Sequence, residues 1–488
     1  NKSGLISPTD GFILKGPGRV QNYTFVGTPK DGNINGSNVG ADQAYLVGNP
    51  FSSALSVKKF IEDNFNSTTA TLHFWQHVDE IDDLSTNSSG HNYAGYVGGY
   101  ATRNIAMGLS ANDPTNIGAY DIFLEAEDAL INGSILPYQG ESAVLMNDVD
   151  NFIKYKSIIK GVDVLRINYL SILDKNIKIK VNDVERGQFT LPGSAVYSTF
   201  DIVLCIEAGS NVTIMSNDSN VSYFNNLQLK DDDGRISCSW SAVGSDEKAE
   251  LVPGAYVPVG QGFFIQGDST DGGPIVFNNS QREFITEDGD SQFFKGKLKK
   301  ENILPIIKLG MDFLNGEGTS IHRRIGISFN PNNSFAYDKG YDSEFFDLGL
   351  TDVHWKLPND DLKYIILGVQ EISDNLEIPF NIIMNYDGSV AIKIDEIKAV
   401  DRDVFIKDKL TNKTYLLNDK NVALQLTKGT YSDRFTLAFN GAVLSTDDVL
   451  EESIANEISV YADVSKQELV IQNLSKLNVT NVTLFNIL

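Results

Sequence analysis

The chain of 488 residues carries 64 Asp and Glu against 40 Lys and Arg, a net charge of −24. A surface that acidic repels the phosphates of nucleic acid and of an anionic bilayer, which argues against both as partners; it is suited either to recruiting divalent cations or to solubility alone. Hydrophobic residues at 41% can build cores for roughly three ordinary domains, and no run of about 18 apolar residues is present to cross a bilayer as a helix.

Taken in order, nearly every segment alternates with the period of a strand. The first stretch, 1–117, holds "QNYTFVGTPKDGNI", "YLVGNPFSSAL", "ATLHFWQHV" and "GGYATRN". Its one helical pattern is "SVKKFIEDNF", where Ser56 caps and Val57, Phe60 and Ile61 face inward. His73 and His77 share a strand face but stand about 13 Å apart, too far for one zinc. Ser56–Lys59 and Ser373–Asn375 spell two β-lactamase motifs, yet Lys428-Gly429-Thr430 has the third in the wrong order and the spacing is too wide.

Segment 118–232 differs in texture and reads as an insertion, because "GAYVPVGQGFFIQG" after it returns to the Gly-aromatic style before it. It opens with "FLEAEDA", Phe123 to Ala129. Glu125 and Glu127 lie two residues apart, so a strand points both the same way. Three readings stand for them: a catalytic pair, a metal site or a solvated strand edge. Phe152, Tyr155, Phe200 and Phe224 are expected in the core.

Beyond the insertion, 233–295 completes the first domain, 296–442 forms a further β-sandwich, and 443–488 is a separate terminal segment. Asp387-Gly388 between "FNIIMNY" and "SVAIKI" predicts a hairpin. "DDDG" at Asp231–Gly234 lacks the later glutamate of a calcium loop and reads as a solvated turn between domains. Cys205 and Cys238 fall in different segments; they could pair in an oxidising compartment, although a chain this long needs no disulfide. The sequence begins at Asn1 and stops inside an apolar run, so both ends are expected to be cut from a longer precursor. The fold class expected is all-β, several jelly-roll or Ig-like sandwiches in series with one inserted in another.

The ordered strands of the insertion, "FLEAEDA", "GESAVLM", "NFIKYKSII", "DVLRINYLSI", "NIKIKVNDV", "FTLPGSAVYSTF" and "SYFNNLQL", resemble carbohydrate-binding modules of families 6 and 35. The resemblance implies a structural calcium on Glu125 and Glu127, with Asn225 where the family has an aspartate. It also implies a sugar cleft with Tyr197 at the aromatic position, Met146 where a second ring is usual, and Asn217 or Asn220 as the loop amide. "YLVGNPFSSAL", "LHFWQHV", "YVPVGQGFFIQG", "IVFNNSQREF" and "GTYSDRFTLAF" resemble C-terminal surface regions of Bacteroidota proteins exported by the type IX secretion system. "NEISVYADVSKQELVIQNLSKLNVTNVTLFNIL" is similar to the start of their sorting domain, expected here in truncated form.

These resemblances imply a non-enzymatic region at an outer-membrane surface or outside a Gram-negative cell. Its expected partners are a polysaccharide or cell-surface glycan and the outer-membrane components of type IX secretion. Two alternatives are an accessory region of a larger polysaccharide-degrading enzyme, and a protein–protein module held by the translocon with a vestigial insert. The bacterial origin that these resemblances imply leads to no expectation of N-glycosylation at the N-x-S/T sequons, such as Asn22 and Asn132.

Overall fold

Alternating apolar positions become strands almost everywhere. The computed structural model describes residues 7–13, 27–80, 96–111, 121–138, 141–230, 252–285, 304–315, 320–418, 420–441, 458–463 and 468–473. Among them the only α-helix is Val57–Asp63, where the Ser56 side chain accepts the Lys59 N–H at 3.5 Å and Val57, Phe60 and Ile61 are buried, as the spacing predicts. The protein is all-β in class.

Strands before and after the insertion complete each other. Ile34–Val39 pairs with Gly273–Phe277, Ala44–Gly48 with Gly262–Gln266, and Ala54–Ser56 with both Tyr256–Val257 and Arg282–Glu283. Their shared core gathers Phe51, Phe60, Phe74, Phe263 and Phe277. The "GNPF" turn is held by Asn49, whose amide donates to the carbonyls of Ser53, Val257 and Pro258 and accepts the Phe51 N–H.

Between Ile122 and Lys230 the strands pair among themselves in two sheets. The longer sheet runs Ser194–Ile206, Val162–Ser171, Ser222–Lys230, Glu141–Met146, Ser134–Tyr138, with Ile122–Glu125 also on Ser222–Lys230. The second runs Val184–Leu191, Lys175–Val181, Val212–Ser216, Phe152–Tyr155, Leu130–Ile131. One core lies between them, with Ile122, Leu124, Val144, Ile167 and Phe224 from the first sheet and Ile153, Tyr155, Ile177 and Ile214 from the second. Of the four aromatics expected inside, Tyr155 and Phe224 are buried, Phe200 packs at the margin of the core and Phe152 is only partly buried.

Residues 306–438 build an 11-stranded sheet whose core includes Trp355, Phe380 and Phe435. The strands Ser320–Phe329 and Tyr364–Val369 run parallel, an exception among antiparallel partners. Ile306–Leu314 is buried at every position. Ile307, Leu309, Met311 and Phe313 enter the core, while Lys308 pairs with Glu396 and Asp312 with His322. Met107 and Leu109, from the first domain, also belong to this core. The strands Ile458–Asp463 and Glu468–Asn473 pair antiparallel.

The hairpin expected at Asp387-Gly388 does not form. Glu377–Met384 pairs with Asp352–Trp355 and Gly429–Ala438, whereas Gly388–Lys398 pairs with Ile306–Leu314 and Val422–Leu426. The turn therefore links distant parts of the sheet, and tertiary pairing overrides the local turn signal. It also receives the insertion. Asp387 takes the Lys156 ammonium at 2.8 Å, Ser389 donates to the Ser157 carbonyl, and a side chain at Gly388 would run into Ser157. Cys205 is disulfide-bonded; Cys238, the only other cysteine in the sequence, lies outside the described residues, as does "DDDG".

Candidate functional site

Val144, Ile167, Tyr169 and Phe224 face the core of the inserted sandwich, so their strand neighbours Leu145, Asn168, Leu170 and Tyr223 face the other way. Tyr223 sits opposite Leu145 and Leu170. Its ring stacks on Tyr138 at 4.1 Å and 11° between planes. Tyr197, beside the Tyr169–Ser198 pair, donates its hydroxyl to the Tyr138 carbonyl at 3.5 Å. All three tyrosines are half-buried.

Polar side chains continue the same face. Asn168 stands between Thr199 and Asn226, and Arg166 between Asp201 and Gln228. Arg166 grips Asp201 with two bonds, 2.6 and 2.8 Å, both partners partly exposed. A row of rings beside amides and a forked ion pair offers flat apolar patches next to fixed donors and acceptors.

The loop end of the sandwich is arranged differently. The Met146 side chain is fully buried, so it cannot line a cleft. Its carbonyl instead accepts from Lys175 Nζ at 3.3 Å and from the Ser222 hydroxyl. The Lys175 ammonium, with no exposed surface, also reaches the carbonyls of Asp218 and Asn220 and the Asp218 carboxylate at 3.0 Å. Burial lowers its pKa and Asp218 opposes that shift. Asn220 is turned to the Asp174 carbonyl, and the half-buried Asn217 to Gln188. A cation thus draws these loops together, and Met146 and Asn220 gather around it; Tyr197 belongs to the sheet face.

Glu125, Glu127 and Asn225 are neighbours. Glu125 is the register partner of Asn226, and the Ala126 N–H donates to the Asn225 carbonyl at 2.8 Å. Calcium nevertheless does not fit them. It demands six to eight oxygens, but the Asn225 amide nitrogen donates to the Ser142 carbonyl, and its oxygen already accepts from Asn168 and Asn226. Glu127 Oε1 meets Lys413 Nζ at 3.1 Å, and the ammonium also reaches Asp128 at 3.4 Å. Glu127 Oε2 is buried without a hydrogen-bond partner. Burial raises the pKa of Asp128 despite Lys413, and it raises that of Tyr155 well above the ordinary tyrosine value, helped by the charges of Glu125, Glu127 and Asp128. Among the described residues no three His, Cys, Asp or Glu are grouped to hold a metal. His73 is buried, stacked on Phe346 at 4.4 Å, with its pKa lowered to about 3 by burial; the His77 side chain lies outside the described residues.

Lys413, Lys175, Tyr138 and Tyr223 were not singled out from the sequence. Tyr138 and Tyr223 sit on alternating strands and were findable by the outward parity of their positions. Lys413 is 286 residues from Glu127, beyond any local signal.

Fold and site together define an all-β protein carrying an inserted β-sandwich with an aromatic outer face. Residues 1–149 and 208–439 match the family described as Domain of unknown function (DUF8693), and the chain belongs to that family. Comparison with curated proteins gives no match. Among solved structures the chain is similar to a carbohydrate-binding module, CsCBM6-3 from Clostridium stercorarium in complex with cellobiose, at 12% identity over 22% of this chain and 93% of that one, TM-score 0.21. A family 35 carbohydrate-binding module from Clostridium thermocellum matches at 18% identity over 23% and 99%, TM-score 0.21. The catalytic domain of a GH87 alpha-1,3-glucanase, variant D1045A, in complex with nigerose matches at 16% identity over 25% of this chain and 30% of that one, TM-score 0.21.

Proposed function

We propose that the chain is a non-enzymatic region of a secreted or cell-surface protein that contacts a polysaccharide or cell-surface glycan through the outer face of the inserted sandwich. One observation carries the reading: the stacked Tyr138–Tyr223 pair beside Tyr197, on the face turned away from the core and flanked by Asn168, Asn226 and the Arg166–Asp201 pair. Type IX export and an outer-membrane or extracellular location follow from the resemblance of the flanking phrases. The disulfide at Cys205 supports an oxidising compartment.

The test is binding of the full chain to a panel of insoluble and soluble polysaccharides. Tyr223→Ala removes the wall on which a pyranose would stack, and a lost ring contact of about 1.4 kcal/mol weakens affinity about tenfold. Binding to none of the panel overturns the reading, as does binding that Tyr223→Ala and Tyr197→Ala leave unchanged.

A further inference from the structure

The acids that open the inserted sandwich meet a cation from another part of the chain. Lys413 begins the strand Lys413–Leu416, the end strand of the 11-stranded sheet. Its ammonium lies within reach of Glu127 and Asp128, whose side chains are only 9% and 22% exposed. Buried carboxylates this close repel unless positive charge stands between them. A dication is one solution. It would need the oxygen of Asn225, and that oxygen is committed to Asn168 and Asn226.

The other end of the sheet order, the strands Val422–Leu426 and Gly388–Lys398, is tied to the insertion as well. Asn421 donates to the Asp121 carbonyl at 2.7 Å, and Ala391 and Ala423 of the large sheet complete the core of the sandwich. An ion pair set beside such a seam has a fixed geometry, because neither partner can swing away without breaking apolar packing.

We infer that Lys413 is the resident cation of the Glu127–Asp128 cluster, doing by a side chain what a calcium ion would do, and that it thereby seats the insertion on the neighbouring sheet without metal. A free ion would neutralise the acids and leave the two bodies independent. A lysine neutralises them only while the bodies are docked.

The experiment uses the full chain, titrated with calcium chloride in a calorimeter and melted with calcium or with EDTA. The expected result is no saturable heat up to millimolar calcium and the same Tm in both conditions. One calcium per chain, abolished by Glu127→Gln, overturns the inference. A double-mutant cycle supplies the second arm: Lys413→Met lowers Tm by several degrees, and adding Glu127→Gln costs less than it does in the wild type, because it removes the stranded acid. Strictly additive losses overturn the pairing. Should Lys413→Met fail to fold, the wild-type calcium titration still decides.

Discussion

His322 is biased toward its cationic form by its neighbours. Its ring is fully buried, with Nδ1 on Asp312 and Nε2 on Asp395 at 2.7 Å, and Arg324 and Lys393 share Asp395. Gly310 makes the room, since a side chain there would strike the imidazole. Burial opposes the charge, but the two carboxylates outweigh it and raise the pKa above the ordinary 6.5. A raised folded-state pKa gives stability that is complete below the unfolded value of about 6.5 and is lost as pH rises through the folded value. Urea unfolding from pH 6 to 9 should therefore show stability falling on the alkaline side. His322→Gln should cost about 3–5 kcal/mol at pH 6, through the stranded Asp312, and the gap from wild type should narrow as pH rises. A pH-independent gap would remove this account. None of it was legible in the sequence, where "IHRRIGISF" reads only as an alternating strand; the two aspartates arrive from strands before and after it.

At the scale of elements, the loop end of the inserted sandwich depends on Lys175. Four oxygens, from the loop residues Asp218 and Asn220 and from the buried Met146, converge on its ammonium, so Lys175→Met leaves carbonyls without their donor. Lost bonds to a charged group should cost about 1.5–3 kcal/mol, with faster amide exchange in 147–151, 172–176 and 217–222; unchanged exchange there would refute the staple. Strands and the capped helix could be read because each follows local periodicity: Lys175–Val181 alternates buried and open positions just as "KNIKIKV" does. The hairpin at Asp387-Gly388 was misread because the turn residues are right while the strand partners lie elsewhere. Site residues fared similarly. Glu125, Glu127 and Asn225 are adjacent, as the family resemblance implies, yet the cation beside Glu127 comes from Lys413, 286 residues away. Met146 faces the core because its parity matches Val144.

At the scale of the molecule, the first domain and the large sheet share apolar packing. Leu109 is fully buried in the core of that sheet, together with Met107. Calorimetry should accordingly show these two parts unfolding in one transition, and Leu109→Ala, at a cost of about 2–5 kcal/mol, should separate them into two. Two transitions in the wild type would mean that the contact does not couple them.

The pairing of Ile122 with Leu229 brings the entry and exit of the insertion side by side. Chain connectivity makes that more than a geometric detail. The first domain is split, and its strands Gly108–Leu109 and Tyr256–Val257 are about 150 residues apart in synthesis. A sandwich that folds first replaces that span by an effective loop of about 40 residues, which lowers the entropic cost of closure by about 1 kcal/mol. An inserted unit that folds first thus shortens the search by which the late half of its host finds the early one.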